Sequence, residues 1–209
     1  MMIEPLEGRR MLSATLAAGG VLKLTGNAKN NQFSLFYSAF FGGYVTNDAV
    51  QGQVGVAKTF AKAAVKRIEI VAGAGNDSYT FTGTGKIPIT FKGGTGNDLF
   101  QVTAATGQAV AYGEAGDDYL IGAEGHDKFF GGPGADELRG NKGNDTLQGD
   151  AGVDTLAGGD GKDVFVARDG YRDKITGEGG VDKARVDLLN GVPDESRNSL
   201  EFTGIEVLY

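Results

Sequence analysis

Residues 131–149 read GGPGADELRGNKGNDTLQG, and the stretch states one phrase twice. Asp136 and Asp145 lie nine residues apart, each two places after a glycine and two before a leucine. Followed in both directions, the phrase becomes six uninterrupted nine-residue units over 113–166: GEAGDDYLI, GAEGHDKFF, GGPGADELR, GNKGNDTLQ, GDAGVDTLA and GGDGKDVFV. Position one is always glycine (Gly113, Gly122, Gly131, Gly140, Gly149, Gly158), and so is position four (Gly116, Gly125, Gly134, Gly143, Gly152, Gly161). Position six is always aspartate: Asp118, Asp127, Asp136, Asp145, Asp154 and Asp163. Position eight is always large and apolar: Leu120, Phe129, Leu138, Leu147, Leu156 and Phe165. Fixed positions recurring at a constant period mark a stacked repeat architecture.

Each fixed position has a physical reading. Glycines at one and four indicate backbone turns with φ > 0, or backbone approached closely by something else. Positions seven to nine predict a three-residue strand whose middle side chain points inward, because alternate residues of a strand face opposite ways. A turn and so short a strand bury nothing alone, so successive units must stack. Two units close one flattened coil, which sets unit n over unit n+2. Asp118, Asp136 and Asp154 then line one edge, and Asp127, Asp145 and Asp163 the other. Strands in a sheet are about 4.8 Å apart, so the carboxylates of a row crowd and repel one another. A calcium ion, which takes six to eight oxygens from carboxylates and backbone carbonyls, fits between such turns. An aspartate in a glycine-rich turn also bonds its own backbone. Asparagine or serine would do that equally well, so six unsubstituted aspartates point to charge.

The totals agree. The 209-residue chain has 36 glycines but 40% hydrophobic residues and four prolines, which suits neither a plain linker nor collagen. It has no cysteine, hence no disulfide or thiolate zinc site, and its one histidine, His126, is too few for a two-histidine zinc helix. His126 stands at position five of a turn and is expected to face solvent. No apolar run is long enough to span a membrane. Net charge is −7, but 113–166 carry twelve acids against four bases, −8, and the rest of the chain +1. So acidic a block repels phosphate backbones and attracts cations, which argues against nucleic acid as a partner. Six aspartates in two rows leave four gaps between coils, and four Ca²⁺ would balance the block's charge.

The units resemble the nonapeptides of the repeats-in-toxin (RTX) family, GGxGxDxUx. That resemblance implies an all-β fold, a right-handed parallel β-roll or β-helix solenoid with calcium between stacked turns. In the family, the position-six aspartates and the carbonyls of the glycine turns hold the ions. Position two departs most from the pattern, being glycine only at Gly132 and Gly159.

Outside the tidy block the phrase loosens. VAGAGNDSYTF carries Asp77 and FKGGTGNDLFQV carries Asp98; steps of 21 and then 20 residues lead to Asp118 and extend its row, for about six metal sites in all. LTGNAKNNQFSLF reads as a decayed copy with Asn31 at position six, where a neutral amide predicts weak or absent metal. Downstream, Asp173 and Asp182 each follow Asp154 and Asp163 by 19 residues, in degenerate turns. VLKL, QFSLF, RIEIVAG, SYTFTG, IPITF and FQVTA are short strands, with Pro88 marking an irregular or edge strand. AKTFAKAAVKRI reads equally as a helix or a basic strand edge, and SLEFTGIEVLY as a terminal cap. The expected divisions are a disordered leader over 1–20, a β-rich solenoid section over 21–112, the six repeats over 113–166, and degenerate turns with a cap over 167–209.

Within the leader, LEGRRMLSA resembles the LEPRxLLSA-type motif that begins many large surface proteins of certain budding bacteria, which implies export or surface sorting. The expected function is an extracellular calcium-binding module that folds on binding its metal and serves a structural or adhesive role at the cell surface. Its expected partners beyond calcium are a surface polysaccharide or another surface protein. The alternative is a calcium-stabilised polysaccharide-active enzyme or carbohydrate-binding module. The upstream section offers no convincing acid/base constellation, so catalysis is not expected. A flat ice-binding face is also disfavoured, since Thr95-x-Asn97 is the single Thr-x-Asn step among the turns.

Overall fold

The computed structural model describes residues 13–38, 41–49, 58–83, 86–103, 107–186, 188–189, 192–193 and 205–208. The chain is all-β and coils into a solenoid of about 6 turns. Two sheets face each other across its axis. One has ten strands and includes Arg67–Ala74, Ile89–Thr95, Ala109–Ala115, Lys128–Pro133, Thr146–Ala151, Val164–Ala167 and Asp182–Val186 in parallel register. The other has nine and includes Ser78–Thr82, Leu99–Val102, Tyr119–Ile121, Glu137–Lys142, Thr155–Gly161 and Lys174–Gly180, also parallel. The chain alternates between them, so each unit stacks on the unit two places on. Leu138 pairs with Leu120 on one side and Leu156 on the other.

All six position-eight side chains are fully buried, each contributing about 1.5–3 kcal/mol by its removal from water. The strands are longer than the sequence suggests. Glu137–Lys142 and Thr146–Ala151 have six residues each, because positions one to three of the following unit continue the ladder. The chain turns its corner at position two, where φ is positive for Glu114 (76°), Gly132 (112°), Asn141 (73°), Asp150 (69°) and Gly159 (102°). Position two therefore looks variable in sequence while its conformation is nearly fixed. Ala123 is the exception, without a positive φ, and the strand before it, Tyr119–Ile121, stops at three residues.

The two glycine positions have different causes. At position four φ is positive throughout, from 131° at Gly116 to 156° at Gly161. A carbonyl of the coil below also lies against it; a Cβ on Gly143 would sit 1.3 Å from Gly125 O. Position one has no positive φ. It is glycine because a Cβ on Gly113 would meet Asp118 Oδ2 at 2.2 Å and Gly131 O at 2.6 Å.

At the N-terminal end the solenoid gains antiparallel pieces. Ser13–Ala17, which the sequence assigns to a disordered leader, pairs with Val21–Thr25 and starts the ten-stranded sheet. Residues 1–12, with most of the export-type motif, lie outside the described residues. Gln32–Ser38, Gly43–Ala49 and Lys58–Ala61 form a meander closing the nine-stranded sheet, with Lys58–Ala61 at its edge. The basic stretch is thus strand edge followed by a short 3₁₀ turn at Lys62–Ala64. Pro88 directly precedes Ile89–Thr95, an inner strand, and its carbonyl accepts from Ile68 N. At the other end Ile205–Leu208 covers Asp182–Val186 as the last strand of its sheet.

Candidate metal centre

The corners of the coil gather ten aspartates, each at most 4% exposed. One corner stacks Asp77, Asp98, Asp118, Asp136, Asp154 and Asp173. Each Oδ1 accepts the backbone N–H of the aspartate one coil earlier, at 2.7–2.9 Å. Asn31 heads this row, and its N–H and Nδ2 both donate to Asp77 Oδ1. The opposite corner stacks Asp127, Asp145, Asp163 and Asp182 by the same bond, at 2.7–2.9 Å. One coil before Asp127 the row ends, because the equivalent residue is Ala109, whose N–H donates to Asp127 Oδ1 at 2.8 Å. Asp173 and Asp182 thus join the two rows despite the loose spacing of their turns.

Every one of these carboxylates spends Oδ1 on a neighbouring coil. The second oxygen is different. Oδ2 of Asp77, Asp98, Asp118, Asp127, Asp136, Asp145, Asp154, Asp163 and Asp182 is sealed from solvent and has no hydrogen-bond donor among the described residues. A buried polar atom left so costs about 1–3 kcal/mol, and more when charged. Burial accordingly pushes the carboxyls of Asp98, Asp118 and Asp145 up to about 7, and those of Asp136, Asp154 and Asp163 up to about 6. The accepted N–H works against the rise, and aspartates of adjoining coils add to it, as Asp98 and Asp136 do at Asp118. Asp77 and Asp127 are raised by burial as well.

The donor set suits a hard divalent cation. Each corner offers a hydrogen-bonded carboxylate with one spare oxygen; at Gly113, Gly122, Gly131 and Gly140 that oxygen lies beside the position-one carbonyl of the next coil, and at Gly149 and Gly158 the carboxylate is what lies against the glycine. The missing Cβ of Gly113, Gly122, Gly131, Gly140, Gly149 and Gly158 leaves that cradle open. There is no nitrogen or sulfur among these ligands, which favours calcium over zinc or copper.

The family described as RTX calcium-binding nonapeptide repeat (4 copies) matches residues 106–129 and 130–165. Residues 106–165 are RTX calcium-binding repeats. No curated protein and no solved structure matches the chain. The RTX match covers the six tandem units but not the coils at either end, where Asp77, Asp98, Asp173 and Asp182 prolong the same two rows.

A second ladder flanks the RTX turns and has no signature in the sequence. Side chains at position five accept the N–H of position five one coil later: Asn76 from Asn97, Asn97 from Asp117, and Asp117 from Ala135, at 2.9–3.0 Å. On the other corner His126 Nδ1 accepts from Asn144 N–H and Asn144 Oδ1 from Lys162 N–H, at 2.8 and 2.9 Å. His126 is exposed as expected, yet it is a rung. The shared property of Asn, Asp and His here is an acceptor at the right reach, which a residue-identity pattern hides. Among the described residues no helix is long and apolar enough to cross a membrane.

Proposed function

We propose that the protein is an extracellular module that folds on calcium, with the ions held between coils by the two aspartate rows and turn carbonyls of the glycine positions. The observation carrying this reading is the buried, donorless Oδ2 repeated from coil to coil. Asp77 through Asp173 leave five gaps between consecutive carboxylates in one row, and Asp127 through Asp182 leave three in the other. At neutral pH, charging these rows without cations opposes the coil. Calcium that binds only the folded chain therefore draws it into folding. Extracellular calcium modules work near about 10⁻⁴–10⁻³ M, above the cytosolic range, so the chain is soft inside the cell and stiff outside. A stacked coil whose regularity depends on metal suits a structural or adhesive part at the cell surface better than a catalyst.

Calorimetric titration of calcium with far-UV circular dichroism tests the reading. Eight equivalents and a gain of β signal on binding are expected; a chain that stays compact and equally heat-resistant after exhaustive chelation would sink it. A carbohydrate-binding role has one specific support. The outer face of the nine-stranded sheet carries a groove of about 710 Å³ whose walls include Gln101, Tyr119, Arg139, Asn141 and Glu178. An aromatic ring among amides and charges suits a polysaccharide segment, which a glycan-array screen of the calcium-loaded chain would detect.

A further inference from the structure

We infer that the downstream end of the longer aspartate row is a separate calcium site of higher affinity, built on Asp169, a residue outside the repeats. This inference rests on the calcium reading above and adds a ligand to it. Throughout the solenoid one backbone bond recurs at the turn: the position-four N–H donates to the position-three carbonyl of the coil above. Gly116 donates to Pro133 O at 3.0 Å, Gly125 to Lys142 O, Gly134 to Ala151 O and Gly143 to Asp160 O at 2.8–2.9 Å. Gly152 breaks the series. Its N–H donates to Asp169 Oδ2 at 2.9 Å, so a carboxylate stands where every earlier turn has a peptide carbonyl.

The cause is local. Asp163 and Asp173 are ten residues apart instead of nine, and the turn between them, RDGYRD, has no glycine packed against the coil below. Gly170 has φ +85°, and a Cβ there would meet nothing within 4 Å, unlike one at the close-packed position-four glycines. Asp169 folds back into the space instead, with Tyr171 N–H donating to its Oδ1 at 2.9 Å. One carboxylate oxygen from each of Asp154, Asp169 and Asp173 then lies within 4.8 Å of the others. Asp154 is 1% exposed; its Oδ1 takes the Asp136 N–H, and its Oδ2 is sealed without a donor. Among the described residues no other gap brings three carboxylate oxygens this close, and here the third carboxylate is only half-buried and open to the solvent from which an ion arrives.

Calcium affinity rises with the number of charged ligands and with their fixation. The terminal site therefore fills first as calcium is raised, ahead of the two-carboxylate gaps of the repeats. The Asp169→Asn variant tests this on the full chain: its one amide oxygen can still accept from Gly152 N–H, the Tyr171 N–H is left to water, and the charge is gone. In calorimetric titration with calcium the parent should show one tight equivalent before the remaining sites. In the variant that equivalent should weaken by about tenfold or more while the other sites titrate as before. Asp160→Asn, whose backbone carbonyl and not its side chain takes the Gly143 N–H, serves as the charge control and should leave the tight equivalent in place. Identical isotherms for the parent and Asp169→Asn would overturn this inference and leave the calcium reading standing. A parent chain that binds no calcium would overturn both.

Discussion

The solenoid is built in two ways, and the contrast shows what the metal is for. Upstream of residue 103 the core is aromatic: Phe33 against Tyr79 at 5.7 Å, Tyr79 against Phe91 at 5.6 Å, and Phe91 stacked on Phe100 at 4.8 Å. The antiparallel meander of Gln32–Ser38, Gly43–Ala49 and Lys58–Ala61 adds Tyr44 to that core. Among the described residues of this section one corner carries aspartate, at Asp77 and Asp98. In the repeats the core narrows to one Leu or Phe per half-coil, and both corners carry aspartate. Where rings fill the interior, aspartate lines one corner of the coil. Where a single side chain must do so, charge is gathered at both corners and a cation has to satisfy it.

The largest expected effect separates the two halves by chelation. Removing calcium should cost the repeats most of their hydrogen-exchange protection, while strands such as Arg67–Ala74 and Ile89–Thr95 keep much of theirs. A solenoid's stability is close to a sum of local and nearest-neighbour terms, so loss need not spread evenly. Uniform loss along the chain would break the contrast, since the aromatic section would then depend on metal as fully as the repeats do.

Backbone crowding gives the next effect. Gly143→Ala places a Cβ 1.3 Å from Gly125 O at φ +142°, with no flexible side chain to yield. In saturating calcium it should destabilise by about 3 kcal/mol or more by denaturant midpoint. Gly42→Ala, in the upstream hairpin, has φ +63° and open space around it. It should cost only about 1–2 kcal/mol, the strain of the left-handed conformation alone. Equal costs would mean that the repeats are no more tightly stacked than the hairpin.

Much of this was legible in the sequence, and the remainder was hidden for identifiable reasons. The position-six aspartates and position-eight plugs could be placed because charge and bulk admit few substitutes, and their period set unit n over unit n+2 and extended the row to Asp77 and Asp98. The corner at position two was hidden because glutamate, asparagine and aspartate all reach the positive φ that glycine reaches more easily. The same degeneracy hid the position-five ladder. Asp169 was invisible because its role depends on a one-residue insertion that moves a side chain into the place of a carbonyl. The leader over 1–20 was read from its export-type motif, and the strand within it, Ser13–Ala17, was missed because its antiparallel pairing with Val21–Thr25 falls outside the repeat.

Acidity should sharpen the contrast further. In the calcium-free folded chain Asp118 and Asp145 are held near 7 and Asp136, Asp154 and Asp163 near 6, whereas an unfolded aspartate titrates near about 3.9. Folded groups with raised values hold protons that the unfolded chain has released. Their contribution to stability is fully present below about pH 4 and is lost as pH rises through 6 to 7. Without calcium, the repeats should therefore be more compact at pH 5 than at pH 7.5, read by near-UV dichroism and protease resistance. The upstream section, where burial raises only the single corner of Asp77 and Asp98, should change less. With calcium bound the order reverses, because the ion must displace those protons, and affinity should fall as pH drops below about 7. A calcium-free chain that loosens on acidification would contradict the burial of these carboxylates.

The smallest effect concerns the outer ladder. His126 Nδ1 accepts from Asn144 N–H at 2.8 Å on an exposed corner, beside buried Asp127 and Asp145. His126→Ala deletes the rung and leaves that N–H to water, so the loss should be about 0.5–1 kcal/mol, the lower part of the range for a single hydrogen bond. His126→Asn keeps an acceptor of the type found at Asn76, Asn97 and Asn144, and should restore the parent's stability. Calcium stoichiometry should be the same in all three chains, because the proposed metal oxygens belong to position six and the rung to position five. If His126→Ala lost a calcium equivalent, the two ladders would be coupled, with the outer one holding the aspartates in place.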